Sequence, residues 1–254
     1  MSGHSKWSQI KRKKGVNDTK RGAAFTRVAR EITIAVREGG GGEIESNFQL
    51  RLAVEKARDV NMPKDNIERA IARGLGTSGE GGQLDDISYE AYGPGGTALI
   101  VQVLTDNRNR AAAEVRRIIT RSGSNLASAG SVAWMFEKRG IFTIPVKGKN
   151  PEDLELELID AGVDDVQTED GSVEAYVAPE NLRPVREELQ KRSIPIENAE
   201  VTLIAKTPAE VSPADAAKTM KLIEDLEELD DVQKVISNLD ITDEAMAEFE
   251  KAAA

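Results

Sequence analysis

A glycine-rich segment, GLGTSGEGG at residues 74–82, divides this chain of 254 residues into parts with different hydrophobic patterns. Glycine-rich polar segments behave as flexible linkers, because they offer little that a core can bury. Before the segment, apolar residues recur with a helical period, whereas after it short apolar runs alternate with helical stretches. The chain is long enough for two or three domains. We therefore expect a helical N-terminal domain followed by α+β structure.

The N-terminal part predicts a polar arm at residues 1–16 and three helices, over about 18–38, 46–60 and 63–73. An asparagine or aspartate can cap the first helix, glycines end it, and a proline suits the first turn of the third. The residues of the second and third helices that we expect to face inward are Phe48, Leu52, Ile67 and Ile71.

Beyond the linker, strands at 88–92 and 97–104 flank Gly93-Pro94-Gly95-Gly96, which is a hairpin signal. A helix follows at 109–121, and residues 132–136 are expected to be extended. Residues 140–206 have the element order βαββαβ, which is the ferredoxin-like order.

A helix at 213–229 and a strand at 232–237 are too small to form a core of their own. We expect them to complete the sheet begun at 88–104, which makes the ferredoxin-like part an insertion. The predicted fold class is therefore α+β with three domains. The expected boundaries are 1–78, 79–138 together with 207–241, 139–206, and a helix-prone tail at 242–254 that need not pack.

Charge is distributed unevenly along the chain. Its net charge is −10, yet the first 37 residues hold ten Lys/Arg and two acids, a net of +8. The other 217 residues therefore carry −18. This asymmetry predicts a segment that binds a polyanion, attached to an acidic body that repels nucleic acid elsewhere.

A helical projection of residues 18–38 places Phe25, Val28 and Ile32 on one side and the basic residues on the other. An ordinary solvated face is the alternative for the helix alone, but the basic arm beside it favours contact with phosphates. The predicted contacts in this segment are Lys6, Lys11, Arg12, Lys13, Lys14, Lys20, Arg27 and Arg30.

Trp7 lies inside the basic arm and has two interpretations. It could stack on a base, or it could pack against a domain, and we favour packing because tryptophan is mostly buried where a core exists. It is kept among the candidate contacts. Aromatic residues make up only 4% of the chain, so a broad base-stacking platform is not expected.

A second basic cluster follows the strand at 97–104 and includes Arg108, Arg110, Arg117 and Arg121. Arginine forks bind phosphate with two hydrogen bonds. The alternative is that these side chains pair with the acidic surface of the same chain, and the sequence leaves both interpretations open.

Catalytic and metal-binding signals are weak. The chain has one histidine and no cysteine, and the glycine turn at 93–96 lacks the Lys-Ser/Thr of a phosphate loop. Acidic runs at 152–157 and 224–231 are expected to be solvated helix faces. We expect a non-enzyme with no metal, no cofactor and no small-molecule substrate. Without cysteines or an apolar run long enough to span a membrane, a cytoplasmic monomer is expected.

Long stretches of the sequence resemble the YebC/PmpR family. They are residues 1–7 (MSGHSKW), 61–71 (NMPKDNIERAI), 89–96 (YEAYGPGG), 105–110 (TDNRNR) and 130–132 (GSV). The resemblance covers nearly the whole chain to about residue 240. It implies a helical domain and two α+β domains, one inserted in the other.

The resemblance also implies function. Members are described as DNA-binding transcriptional regulators in the cytoplasm, and the family resembles a mitochondrial translational activator. The hypothesis is a nucleic-acid-binding regulator of gene expression, with a transcription factor on DNA as the first class. A ribosome-associated translation factor on ribosomal RNA is the second class, and an RNA-processing enzyme is a third. No helix-turn-helix pattern is evident, which argues mildly against sequence-specific reading of duplex DNA.

Overall fold

The computed structural model describes residue 7 and residues 18–77, 84–146, 148, 150–169 and 171–253. The chain forms two compact units. One is the segment Phe136–Lys206, and the other combines the described residues before that segment with those from Thr207 onward. The boundaries of the three domains expected from the sequence stay a prediction.

The helical part contains α1 (Asp18–Glu38), α2 (Phe48–Asp59) and α3 (Lys64–Gly74). Asn47 begins α2, because its side chain accepts a hydrogen bond of 3.0 Å from the backbone N–H of Leu50. The core of this part is formed by buried residues of all three helices: Val28, Ile32, Val36, Leu50, Val54, Ala57, Ile67 and Ala70.

The inward face of α2 differs from the expectation. Leu50, Val54 and Ala57 are buried, whereas Phe48 and Leu52 are only partly buried and lie outside this core. The prediction was wrong about α2, because alternating apolar residues at its start fit two helical faces equally well. Ile67 is buried and Ile71 packs at the edge of the core, as predicted.

The next part begins with β1 (Asp85–Tyr92) and β2 (Ala98–Thr105), which pair antiparallel around residues 93–97. The hairpin prediction is confirmed. Then follow α4 (Arg108–Arg121), capped by the side chain of Asn107, and the short β3 (Asn125–Leu126), which pairs with the end of β1. The expected extended run at 132–136 is wrong, because Ala133–Met135 forms a 3-10 turn.

The inserted part has the order β4 (Phe136–Pro145), α5 (Pro151–Asp160), β5 (Asp165–Glu169), β6 (Ser172–Val177), α6 (Leu182–Lys191) and β7 (Asn198–Ala205). Its strands are antiparallel in the order β5-β6-β4-β7. Because one helix follows the first strand and the other follows the third, this is the predicted ferredoxin-like arrangement.

The chain then returns to the first sheet through α7 (Pro213–Glu227) and β8 (Val232–Ser237). Strand β8 pairs antiparallel with β2, and the sheet order is β3-β1-β2-β8. The α+β fold with an inserted ferredoxin-like domain is thus confirmed. Helices α4 and α7 cover one sheet face, with Val115, Ile119 and Met220 against Leu99 and Val101.

The C-terminal segment forms α8 (Asp243–Ala253), which packs against α7. Ala245 and Phe249 are buried in the same core as β2 and α7. The expectation that the tail need not pack is therefore wrong. Two apolar residues four positions apart give this helix a narrow apolar stripe, which was too short a pattern to predict packing.

Candidate nucleic-acid interface

Helix α1 presents its apolar side to the helical core, and this leaves its arginines on the other sides. Arg27 is half-buried, and its Nε is enclosed without a hydrogen-bond partner in the described part of the chain. Arg37 donates a hydrogen bond of 2.7 Å to the backbone carbonyl of Leu84, just before β1. The arginine side of α1 is therefore not simply solvated, because part of it holds the helix to the sheet domain.

Asp231, which precedes β8, joins the two basic clusters that the sequence predicted separately. Its Oδ1 accepts a 2.8 Å hydrogen bond from Arg30 on α1, and its Oδ2 accepts one of 2.8 Å from Arg110 on α4. The hydroxyl of Thr105 donates a third bond of 2.9 Å. Arg30 and Arg110 therefore lie side by side, bridged by one carboxylate.

The electrostatics of this bridge favour the charged forms of Asp231 and Arg110. Burial alone would raise the pKa of Asp231, but hydrogen bonds from Arg110 and Thr105 and the charge of Arg30 lower it below its usual value. The pKa of Arg110 is raised, first by its hydrogen bond to Asp231 and then by the one to Asp106. Side chains of Asp231 and Arg30 are 5% and 15% exposed, whereas that of Arg110 is 46% exposed.

Of the other arginines in the second cluster, two form ion pairs within the chain and one is exposed. Arg108 contacts both carboxylate oxygens of Asp85 at 2.8 Å, and Arg121 pairs with Asp225 at 2.7 Å. Arg117 is exposed, and it has no hydrogen bond or ion pair within the described residues. Pairing inside the chain, the alternative that the sequence left open, therefore occurs for Arg108, Arg110 and Arg121. Exposed pairs are weak, so pairing leaves the exposed guanidinium groups of Arg108 and Arg121 able to exchange onto a phosphate. Arg110 stays bonded to the buried Asp231 and offers a phosphate only the exposed part of its side chain.

A groove of about 670 Å³ runs between α1 and α3. Its apolar floor includes Phe25, Ala29 and Met62, and its walls carry Arg30, Arg69 and Arg73. The sequence prediction missed the last two arginines. Their signal was present in the spacing Asn66, Arg69, Arg73, which puts three polar side chains on one face of α3.

Trp7 was predicted as a candidate nucleic-acid contact, and the structure corrects this. Its side chain is 7% exposed, its ring meets Phe249 edge to face at 5.9 Å, and its Nε1–H donates to Glu227 at 3.1 Å. Packing, the favoured interpretation, is what the structure shows, and a buried indole cannot stack on a base. The indole is stable in this core because its ring packs against Phe249 and its N–H is hydrogen-bonded to Glu227.

Several predicted contacts fall outside the described residues: Lys6, Lys11, Arg12, Lys13 and Lys14. Lys20 lies in the first turns of α1, and its side chain is likewise outside the described part.

The glycine turn that follows β1 has a structural role. Residues 93–97 form a tight turn in which the N–H of Gly93 bonds to the carbonyl of Thr97 at 2.8 Å. Within the described residues, no group of three or more histidine or acidic side chains is placed to hold a metal ion. No helix among those residues is both long enough and apolar enough to cross a membrane.

These features define a class: an α+β protein with a helical N-terminal part, an inserted ferredoxin-like part, and an arginine-rich surface shared by α1, α3 and α4. A family profile described as the TACO1/YebC protein N-terminal domain matches residues 5–77. A second, described as the TACO1/YebC second and third domain, matches residues 84–239. The chain belongs to the TACO1/YebC family, as its sequence resemblance indicated.

Related proteins cover almost the whole chain. A protein of Roseiflexus castenholzii is 54% identical over 98% of this chain and 99% of its own length. A protein of Chloroflexus aurantiacus is 52% identical over 98% of this chain and all of its own length. Both carry the name "Probable transcriptional regulatory protein". The crystal structure of a conserved hypothetical protein from Aquifex aeolicus is 42% identical and has a TM-score of 0.81, covering 89% of this chain and 93% of that one.

Proposed function

We propose that this protein is a non-enzymatic regulator of gene expression that binds nucleic acid, in the first place DNA, as a transcriptional regulator. The observation that carries the proposal is the Asp231 bridge, because it brings Arg30 of α1 and Arg110 of α4 onto one surface. The names of the relatives from Roseiflexus and Chloroflexus support the transcriptional role.

The chemistry of this surface suits a phosphate backbone. Arg110 and Arg117 are exposed on one side of α4, and Arg69 and Arg73 are exposed on the wall of the neighbouring groove. Each arginine that reaches a phosphate releases counterions from the nucleic acid, so affinity falls as salt rises. The acidic remainder of the chain repels the polyanion and restricts contact to the basic side.

A ribosome-associated translation factor is the second candidate. The observation that favours it is the attachment of α1, which is held to the sheet domain through Arg30 and Arg37. Readers of duplex DNA commonly place such a helix in the major groove. A fixed basic surface with a basic arm suits folded RNA, which proteins recognise largely by shape and backbone.

Crosslinking in cells, followed by sequencing of both the attached DNA and the attached RNA, distinguishes the two. The transcriptional proposal predicts enrichment at promoters, and enrichment confined to ribosomal RNA would overturn it in favour of the second candidate. Arg117→Ala/Arg121→Ala should reduce the crosslinks. The matched control is Arg183→Ala/Lys191→Ala, which removes two exposed cations from α6 and should leave the crosslinks unchanged.

A further inference from the structure

Two aromatic rings stand on the surface of a chain that is poor in aromatics. Trp134 in the 3-10 turn is 65% exposed and Tyr92 at the end of β1 is 39% exposed. Most other aromatic side chains, such as Trp7, Phe142 and Phe249, are buried. The family resemblance and the arginine surface do not account for an exposed tryptophan, which would ordinarily be buried where a core is available.

Both rings are held by the same backbone oxygen. The Nε1–H of Trp134 donates to the carbonyl of Ser131 at 2.9 Å, and the hydroxyl of Tyr92 donates to that carbonyl at 3.2 Å. The polar tips of the two rings therefore meet at one atom. This arrangement ties both rings to one point of the loop and uses the single hydrogen-bond donor that each possesses.

A carboxylate holds the loop that carries this oxygen. Glu90, two residues before Tyr92, accepts hydrogen bonds from the backbone N–H groups of Gly130 (2.6 Å), Val132 (2.6 Å) and Ala133 (3.0 Å). The side chain of Val132 is fully buried beneath the loop. Three charge-assisted bonds and a buried anchor make a rigid support, so the exposed rings are preorganised rather than mobile.

We propose that Trp134 and Tyr92 form a two-ring platform on which an unpaired nucleobase stacks. The inference rests on the proposed function, and it adds that the bound nucleic acid has at least one unpaired base. Stacking on aromatic rings is a common way to bind single-stranded nucleic acid and requires no hydrogen bond from the ring.

A nucleobase fits this platform better than an extended peptide. Aromatic surfaces that bind peptides commonly use the Trp N–H and the Tyr hydroxyl to bond peptide carbonyls, since these are the polar handles of the rings. Here both donors are already bonded to Ser131, which leaves ring surface as the binding element. The platform belongs to the same compact unit as the arginine surface and lies at the other end of the β1–β2 hairpin, since Tyr92 pairs with Ala98 whereas Asp85 pairs with Thr105.

The test compares short unstructured RNA and DNA oligonucleotides with the corresponding duplexes, using fluorescence anisotropy and full-length protein. Trp134→Ala should weaken binding of the unpaired oligonucleotide by about 5- to 100-fold, the range expected for one stacked base. Trp134→Phe retains a ring and should keep most of the affinity. Duplex binding should be the same in all three proteins.

Intrinsic fluorescence gives an independent readout, because Trp7 and Trp134 are the two tryptophans of the chain. An unpaired oligonucleotide should quench the wild-type emission, and it should not quench Trp134→Phe, in which only the buried Trp7 emits. Quenching by RNA and not by DNA would identify RNA as the source of the base, and the reverse result would identify single-stranded DNA.

Three results would overturn the proposal. Equal affinity of wild type and Trp134→Ala for unpaired oligonucleotides, with the arginine-dependent binding intact, would reject the platform alone. A proline-rich peptide that quenches Trp134 when unpaired oligonucleotides do not would assign the rings to a protein partner. Absence of binding to any nucleic acid by the wild type would reject the proposed function together with the platform.

Discussion

Asp231 is nearly buried, and its two oxygens accept hydrogen bonds from arginines that lie far from it and from each other in the sequence. A buried carboxylate without its partners is costly, whereas one that is bonded by two guanidinium groups and a hydroxyl is well satisfied. The residue therefore holds α1 against the sheet domain and also sets the spacing of Arg30 and Arg110.

Replacing Asp231 by asparagine should destabilise this compact unit by about 2–4 kcal/mol, because two arginines are left without their carboxylate and one of them is largely buried. The measurement is urea unfolding followed by tryptophan fluorescence. Asp106→Asn is the matched control, since Asp106 pairs with the same Arg110 but is exposed, and its effect should be much smaller. Equal effects of the two substitutions would show that the bridge is not a structural contact.

The hydrogen bonds that the Glu90 carboxylate accepts from the loop at 130–133 depend on pH. Burial tends to raise the pKa of its carboxyl group, but the backbone N–H bonds from residues 130–133 lower it below the usual 4.5. A lowered pKa means that the stabilisation is complete above pH 4.5 and disappears as the pH falls through the lowered value.

Protection of the amides of Gly130, Val132 and Ala133 from hydrogen exchange should therefore persist down to about pH 4.5 and fall below it. Glu90→Gln removes one of the two acceptor oxygens and the negative charge, so it should lower this protection at neutral pH, whereas Glu68→Gln, which changes an exposed residue of α3, should not. Full protection in Glu90→Gln would contradict the role given to the carboxylate.

At the scale of elements, the sequence predicted the fold well where local patterns were sufficient. The glycine turn predicted the β1–β2 hairpin, and the order βαββαβ predicted the inserted sheet. The addition of β8 to the sheet of β1 and β2 was also predicted, because a helix and strand without a core of their own must complete another sheet. The inward face of α2 and the packing of α8 were not predicted, because each depends on which distant surface is available to cover it.

The largest buried side chain of helix α8 is that of Phe249, whose ring meets Trp7. Phe249→Ala should cost about 3–4 kcal/mol of stability and shift the emission of Trp7 to longer wavelength, since it opens a cavity and admits water. Thermal unfolding with fluorescence detection checks both. Glu250→Ala, an exposed neighbour on the same helix, should change stability by no more than about 0.5 kcal/mol. An unchanged melting temperature in Phe249→Ala would contradict the packing of α8.

The groove between α1 and α3 leads to a prediction about two arginines of α3. Arg69→Ala/Arg73→Ala should weaken nucleic-acid binding and reduce the slope of log affinity against log salt by about 1 for each phosphate that is no longer bound. Arg58→Ala/Lys64→Ala removes the same charge from the helical part but from outside the groove lining. Equal effects of the two double variants would mean that only net charge matters and that the groove is not a binding surface.

For the whole molecule, charge is the property that links sequence to function. The sequence alone located the basic segment and the second arginine cluster, because clusters of like charge are visible without a structure. It could not show that Asp231 joins them, because that contact links Arg30 to a residue 201 positions away. Nor could it show that Trp134 is exposed, since this residue lies in the apolar run 132–136, a pattern that ordinarily indicates burial.

The central claim is that the basic N-terminal segment and the adjoining arginine surface bind nucleic acid through its phosphates. The most direct test is the salt dependence of affinity for wild type and for a variant in which Lys11, Arg12, Lys13 and Lys14 are all alanine. We expect wild-type affinity to fall steeply with salt, and the variant to bind more weakly with a clearly flatter slope. An affinity and a salt slope that are the same in both proteins would contradict the claim.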